Sequence, residues 1–186
     1  MDPVTGTVAG LWRWPVVGLE AERLRAARIG PGGMAAEGVH AVLVDGAPVP
    51  PGALPGWAGE YPFNVDSGID PEHPPHALVI SPDRARRWRW GDPRLERALT
   101  AALGRPVELR RDPAHRLPIL VSAQEDVPAH IRLSLDSPAE RLAGRQLAFA
   151  RGVRLDLSGP AGPRGGVEAR VLVPGRIEVG ETFSLV

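Results

Sequence analysis

The chain has 186 residues, enough for one domain with a sizeable core, and 43% of them are hydrophobic. Its formal net charge is zero at pH 7 and no segment concentrates the basic residues, which argues against a nucleic-acid partner. All 22 basic residues are Arg and there is no Cys, which excludes Lys chemistry, thiolate nucleophiles and Cys ligation of a metal.

No apolar run approaches the roughly 18 residues that would span a bilayer. The N-terminal stretch "MDPVTGTVAGLWRWP" has no basic region followed by an apolar one, as a secretory signal would. We therefore expect no membrane association and a cytoplasmic location.

The first elements in chain order are strands. In "TVAGLWRWPV", Val8, Trp12 and Trp14 share one face and Arg13 faces the other, which predicts a half-buried strand. Residues 20–29 fit a short helix or an alternating strand, and "GPGG" directly after them favours the strand. "VHAVLVDG" then predicts a buried strand that ends in a turn.

Residues 47–75 are dense in Pro and Gly and cannot hold a long regular element. They nevertheless contain apolar side chains to bury, which are Leu54, Trp57, Tyr61, Phe63 and Ile69. We predict a long ordered loop over the mouth of the β-structure, of the kind that often shapes a binding site.

After a short strand at "HALVISP", the segment "GDPRLERALTAALG" predicts a clear helix. Asp92 is the expected N-cap, Pro93 the first helical residue and Gly104 the C-terminal stop. The apolar stripe of this helix consists of Leu95, Leu99 and Leu103.

The rest of the chain has mostly β signals, in "PVELRR", "LPILVSA", "AHIRLSLD", "VRLDLSG", "VEARVLV" and "IEVGETFSL". Between them, "SPAERLAGRQL" predicts a short helix with a capping box of Ser137 and Glu140. Many short strands favour a closed or nearly closed antiparallel barrel, because closure removes sheet edges. The sequence thus predicts a mainly β chain of one domain, residues 1–186, with one clear and one short helix.

Three segments together resemble the MOSC family, the domain at the C-terminus of molybdenum cofactor sulfurases. Residues 6–46 are similar to its opening strands, "DPRLERALTAALGRPVELRRD" to its helix and following strand, and "VEARVLVPGRIEVGETFSLV" to its closing strands. The resemblance touches both ends and the centre of the chain. It implies a MOSC-like antiparallel barrel with a cofactor pocket.

The departures from the family pattern concern that pocket. Where the family has Pro-Val-Lys-Ser, this chain has residues 15–18, "PVVG", and where the family has Gly-Asp-Arg it has Ala36, Glu37 and Gly38. The family's Arg-Cys pair best matches Arg164 and Gly165, so the Arg is kept and the thiolate is not. The resemblance therefore implies a barrel without its molybdenum chemistry, and we expect no metal and no cofactor.

Three residues are the predicted catalytic groups. Arg164, in a Gly- and Pro-rich turn, either grips an anion or is one more solvated loop residue. His40 is either a general acid or base or a packed strand residue, and Glu37 is the second group that could move a proton.

The predicted ligand-binding residues are aromatic or lie beside aromatic residues. Trp57 and Tyr61 have the stronger case because they lie in the long loop, whereas Trp14 and Arg13 in "LWRWP" could equally be packing residues. His73 and His76 have a spacing that suggests a metal, yet the prolines between them forbid a helix and a third ligand is missing, so an exposed loop is favoured. The remaining histidines, His115 and His130, have no visible partner.

Two functions follow from these residues. The first is small-molecule binding in the former cofactor pocket, with metal-free and cofactor-free catalysis of the cyclase or isomerase type in a specialised biosynthetic pathway. The alternative is a non-catalytic binding or scaffolding protein that pairs with itself or with another protein through its Trp and Pro surface. A pocket lined by Trp57, Tyr61 and Arg164 would favour the first.

Overall fold

The computed structural model of the chain describes residues 4–62, 73–112, 117–136, 142–157 and 166–186. The strands that precede the helix are short, with one exception at the N-terminus. They are β1 (Val4–Arg13), β2 (Val16–Val17), β3 (Glu22–Leu24), β4 (Ala26–Gly30), β5 (Gly33–Met34), β6 (His40–Val44), β7 (Ala47–Pro48), β8 (Ala58–Glu60), β9 (Leu78–Ile80) and β10 (Arg87–Arg89).

Helix α1 (Pro93–Leu103) divides the strands into two groups. The strands after it are β11 (Glu108–Arg111), β12 (Ile119–Ser122), β13 (Ile131–Leu135), β14 (Gln146–Phe149), β15 (Arg154–Asp156), β16 (Val167–Val173), β17 (Gly175–Glu178) and β18 (Thr182–Leu185). The mainly β class predicted from the sequence is confirmed.

The chain groups into two compact units. Unit 1 contains residues 1–12, 23–35 and 117–186, and unit 2 contains residues 13–22 and 36–116. The single domain predicted from the sequence stays a prediction, and each unit is described by itself.

Unit 1 contains a closed barrel. Its seven strands pair in the ring β13, β12, β16, β15, β14, β18 and β1, and β1 pairs again with β13. All the pairs in this ring are antiparallel except β12 with β13, which is parallel. The predicted barrel is thereby confirmed.

A β-bulge in β1 corrects the predicted faces of that strand. The register with β13 shifts between Val8 and Gly10, which adds one residue to β1. Val8 and Leu11 therefore both enter the core, while Trp12 is only half-buried. The prediction that Val8 and Trp12 share one face is wrong because simple alternation does not continue through a bulge.

A small sheet of β17, β4 and β5 completes unit 1. It confirms the strand interpretation of residues 20–29, but the two strands β3 and β4 replace the single one expected. The alternation changes phase between them, so Ala26 and Ala27 are both buried and Arg28 is exposed. The core of unit 1 is apolar, with fully buried side chains such as Leu147, Leu155 and Ile177.

Unit 2 contains two small sheets. One has the order β10, β9, β8, and the other has the order β11, β6, β2, with β7 paired to β6. Strand β6 is buried along most of its length and ends in a turn, as predicted. Helix α1 begins and ends as predicted, with the Asp92 side chain accepting a hydrogen bond from the Arg94 amide at 2.9 Å and Gly104 in the left-handed region at φ 68°.

Two predicted segments are only partly described. Within residues 47–75, the described part holds the short strands β7 and β8, and Leu54, Trp57 and Tyr61 are buried as expected. Phe63 and Ile69 lie outside the described residues, as do Ser137 and Glu140 of the predicted short helix. The end of that helical segment, Gln146 and Leu147, belongs to strand β14 instead.

Candidate functional site

The candidate site is in unit 2 and is built around His40, the first residue of β6. Strand β2 runs parallel to β6, with Val16 opposite His40, so the carbonyl of Pro15 lies beside the imidazole. The Pro15 oxygen accepts hydrogen bonds from the His40 amide and from Nδ1, each at 3.1 Å. A carbonyl oxygen can only accept, so the neutral ring carries its proton on Nδ1 and presents Nε2 as a bare acceptor.

The other ring nitrogen of His40 is the unusual feature. The residue has no exposed surface, and Nε2 has no hydrogen-bond partner among the described residues. A buried polar atom without a partner costs free energy, and such atoms are concentrated at functional sites. His40 Nε2 is therefore ready to accept a hydrogen bond or a proton from a ligand.

The protonation state of His40 suits a base. Burial, followed by the charges of Arg111 and His76, lowers the pKa of His40 from 6.5 to about 4, although the hydrogen bond to Pro15 raises it. The imidazole is consequently neutral at pH 7. A neutral imidazole can take a proton, which a protonated one cannot.

Three aromatic rings surround this imidazole. Trp90 meets it edge-on with the ring centroids 4.9 Å apart, and the rings of Tyr61 and His76 lie 6.1 and 6.3 Å away. His76 is half-buried, and its Nδ1 also has no hydrogen-bond partner among the described residues. Burial, together with the charges of Arg111 and Arg89, lowers the pKa of His76. Two neutral imidazoles with unpartnered nitrogens thus lie close together.

Arg111 brings a positive charge to these rings. It lies opposite His40 in the antiparallel pair of β11 and β6, so the two side chains are on the same face of the sheet. Arg111 is exposed, and its Nη2 donates a hydrogen bond to the Pro74 carbonyl at 2.7 Å. The site therefore extends from the buried imidazole of His40 to the exposed guanidinium of Arg111.

Glu37 lies in a constrained turn that leads into β6. Its Oε2 accepts a hydrogen bond from the Trp14 amide at 2.9 Å, and the Gly38 amide donates to the Trp14 carbonyl at 2.9 Å. The turn holds Ala36 in the left-handed region at φ 59°, and the Tyr61 hydroxyl donates to the Ala36 carbonyl at 2.8 Å. A non-glycine residue with positive φ is uncommon and often marks a functional segment. Here Glu37 holds the backbone of Trp14 in place.

Arg13 belongs to a buried ion pair. Its Nη2 lies 2.5 Å from Glu22 Oε1, and the side chains are only 4% and 13% exposed. The guanidinium also lies over the Tyr61 ring at 4.8 Å, and the Tyr61 amide donates to Glu22 Oε2 at 3.1 Å. Burial raises the pKa of Glu22, and Arg13 opposes that rise. This pair fixes Tyr61 beside His40.

The remaining predicted residues are spread more widely. Trp57 stacks on Trp88 in the core of unit 2, with centroids 5.6 Å apart and an interplanar angle of 20°. Trp14 is half-buried and contributes its backbone amide, while His73 is exposed. Arg164 and His115 lie outside the described residues. The structure thus brings Arg13, Glu37, His40 and Tyr61 into one unit, and their predicted roles stay predictions.

Sequence reasoning missed Arg111 and Glu22, and it assigned His76 to a different hypothesis. Arg111 becomes a neighbour of His40 only through the register of β11 with β6. Among the described residues, no group of three or more His, Cys, Asp or Glu side chains is arranged to hold a metal ion. The described residues also contain no helix with the length and hydropathy of a membrane span.

Unit 1 has a separate concave surface with a volume of about 560 Å³. It is lined by residues of β1, β14 and β18, among them Thr5, Thr7 and Ser184. Its lining also includes Asp136, whose carboxylate accepts a hydrogen bond from the Thr5 hydroxyl. None of the predicted site residues that the structure describes lines this surface.

Neither a protein-family model, nor a curated protein, nor a solved structure matches this chain. The MOSC resemblance rests on the quoted segments alone and stays a prediction.

Proposed function

We propose that this protein binds a small organic molecule at His40 and catalyses a metal-free, cofactor-independent proton transfer on it, as a cyclase or isomerase of a specialised biosynthetic pathway would. The observation that carries this proposal is the buried Nε2 of His40, which has no hydrogen-bond partner among the described residues. Because the Pro15 carbonyl holds the proton on Nδ1, the lone pair of Nε2 is free to accept. Reactions of this type need a positioned base and stabilisation of developing charge.

The chemistry would need only these groups. His40 Nε2 takes a proton from the ligand and becomes an imidazolium, and the same proton returns to another atom of the ligand. No electron is gained or lost. A negative charge develops on the ligand between these two proton transfers. Arg111, which pairs with His40 on the neighbouring strand, would stabilise that charge.

We also propose that the barrel is of the MOSC type with its molybdenum chemistry removed. The two segments that the resemblance aligns with the family's pocket, around Pro15 and around Glu37, are joined by hydrogen bonds in unit 2. That proximity supports the proposal because the family's pocket would require these two segments to lie together.

The decisive experiment is native mass spectrometry of protein purified from its own host. We expect a small molecule bound to the wild-type protein, with less of it on the His40→Gln variant. His73→Gln is the matched control because His73 is exposed. Equal occupancy of the wild type and of His40→Gln would contradict the proposal.

Metal analysis of the same preparation provides an independent test. We expect neither molybdenum nor a stoichiometric amount of zinc. A full equivalent of either metal, removed together with activity by a chelator, would overturn a metal-free mechanism.

One observation favours the alternative function, a non-catalytic partner of another protein. Leu172, Val173 and Val179 of unit 1 are 39%, 41% and 39% exposed, which is high for large apolar residues. Of the Trp surface expected from the sequence, Trp57, Trp88 and Trp90 are buried, whereas Trp12 and Trp14 are half-buried. A Leu172→Glu variant that loses a partner or an oligomer seen with the wild type would favour this alternative.

A further inference from the structure

The charged groups that shift the pKa values of the two imidazoles have a single sign, whereas the carboxylates of Glu22 and Glu37 act on the neighbouring Tyr61. The charged groups that act on His40 and His76 are Arg111 and Arg89, and both are positive. Among the described residues, neither Arg forms an ion pair with a carboxylate, and Arg111 instead donates to the neutral carbonyl of Pro74. Within the described part of the chain, the guanidinium groups of Arg111 and Arg89 are therefore not held by a carboxylate, and they can attract an anion.

The hydrogen-bonding group that His40 itself presents to this cluster is an acceptor. His40 offers Nε2 as a bare lone pair, since Nδ1 donates to Pro15. The Tyr61 hydroxyl donates to the Ala36 carbonyl at 2.8 Å and not to His40 Nε2. A group that meets His40 must consequently bring its own hydrogen.

The neighbouring guanidinium has a partner that a ligand could replace. The bond from Arg111 to the Pro74 carbonyl joins a charged donor to a neutral acceptor. A carboxylate would make a stronger, charge-assisted and bidentate bond with the same guanidinium. Arg111 is exposed and lies on the same face as His40, so an anionic group could bind it from solvent. His40 has no exposed surface, so the rest of the ligand would meet the imidazole only after neighbouring side chains move.

We propose that the ligand of this site is a small organic anion that also carries a hydroxyl or N–H group. Its anionic group binds Arg111 and its hydrogen is donated to His40 Nε2. This inference rests on the proposed function and adds the class of substrate, which is a hydroxy acid or a related carboxylate with a donor.

Three matched small molecules test this class. Lactate has both features, lactamide lacks the charge, and 2-methoxypropionate lacks the donor. Binding is followed by the ¹⁵N resonance of His40 Nε2 and by the fluorescence of the tryptophans, of which Trp90 contacts His40. We expect lactate to bind about tenfold more tightly than either analogue, since each analogue loses one strong hydrogen bond.

Variants of Arg111 test whether this residue causes the preference for lactate over lactamide. Arg111→Gln should abolish the preference for lactate over lactamide, and it should still fold because Arg111 is exposed. Arg111→Lys should retain a reduced preference. Arg110→Gln is the matched control, because Arg110 is the preceding residue of β11 and points to the opposite face of the sheet.

The outcomes separate the two proposals. Equal binding of lactate and lactamide, or a preference that survives Arg111→Gln, would overturn the anionic class while leaving His40 as the ligand-binding base. If none of the three molecules moves the His40 resonance, the substrate class fails. If a host-derived ligand also leaves that resonance unchanged, the proposed function fails with it.

Discussion

The two units of the chain bury different kinds of side chain. The core of unit 1 is a barrel interior of aliphatic residues with two Phe rings, Phe149 and Phe183, in contact. The core of unit 2 contains Trp57, Trp88 and Trp90, and around it lie the buried polar residues Arg13, Glu37 and His40. Apolar cores contribute stability, whereas buried ionisable groups cost it and are usually kept for function or specificity. Among the described residues, unit 1 buries one ionisable side chain, His130, whereas unit 2 buries Arg13, Glu37 and His40, so unit 2 is the better place to look for chemistry.

The largest expected effect concerns the buried ion pair of unit 2. Arg13→Gln should lower the free energy of unfolding by about 3–5 kcal/mol, because it leaves the Glu22 carboxylate buried without its counter-charge. The measurement is urea unfolding at pH 7. The double variant Arg13→Leu with Glu22→Leu should recover most of the loss, and a double variant as unstable as the single one would show that packing rather than charge is responsible.

A core truncation in unit 1 should destabilise the protein by a different route. Leu155 has no exposed surface, and Leu155→Ala should cost about 2–5 kcal/mol through the cavity that it leaves. The loss should be about the same at pH 7 and at pH 5, because the side chain that is removed is apolar and belongs to the apolar core of unit 1. If the loss of unfolding free energy in Leu155→Ala changed with pH, the distinction between an apolar core in unit 1 and a polar one in unit 2 would be wrong.

His40 should make stability depend on pH. Its pKa is about 4 in the folded protein and 6.5 when unfolded, so the unfolded chain binds the proton more readily. The contribution is fully present above pH 6.5 and is lost as the pH falls to about 4, by about 3 kcal/mol in total. Unfolding of His40→Gln, compared with His73→Gln, should show a shallower loss across this range, and an unchanged slope would mean that His40 is not neutral and buried.

The smallest effect should come from the turn that holds Glu37. Gly38 has φ 63°, and Gly38→Ala should cost about 1 kcal/mol because a Cβ is unfavourable in the left-handed region. Gly30→Ala in unit 1 is the control, since the added Cβ would meet only the Gly33 oxygen at 3.8 Å. Thermal unfolding of both variants measures the difference, and equal midpoints would remove the argument that this turn is strained.

Local signals predicted much of the fold. The helix α1 was predictable because its caps, its first-turn Pro and its apolar stripe all lie within one short segment. Strand β6 was predictable as a continuous apolar run that ends in a turn. Strand β14 was missed because its first residues were assigned to the helical segment that follows the capping box. The bulge in β1 was missed although it lies at Gly10, and a Gly within a strand often marks a bulge.

The site was predictable only in part. His40 and Glu37 stood out as single residues, but the sequence could not decide whether His40 was packed or functional. That question depends on Pro15, which sets the tautomer, and on Arg111, which supplies the charge, and both become neighbours of His40 through strand pairing. Long-range pairing is a property of the whole fold, so no short window of sequence contains it.

The sequence by itself determined the mainly β class, the single clear helix, and the absence of thiol and amine chemistry, because these follow from local patterns and residue types. Only the tertiary structure decided that two compact units share the chain, that β1 is bulged, and that His40 meets Arg111 and His76. The physical reason is that burial and pairing join residues that are distant along the chain. The acceptor that unit 2 offers to a ligand arises from those contacts and not from any single motif.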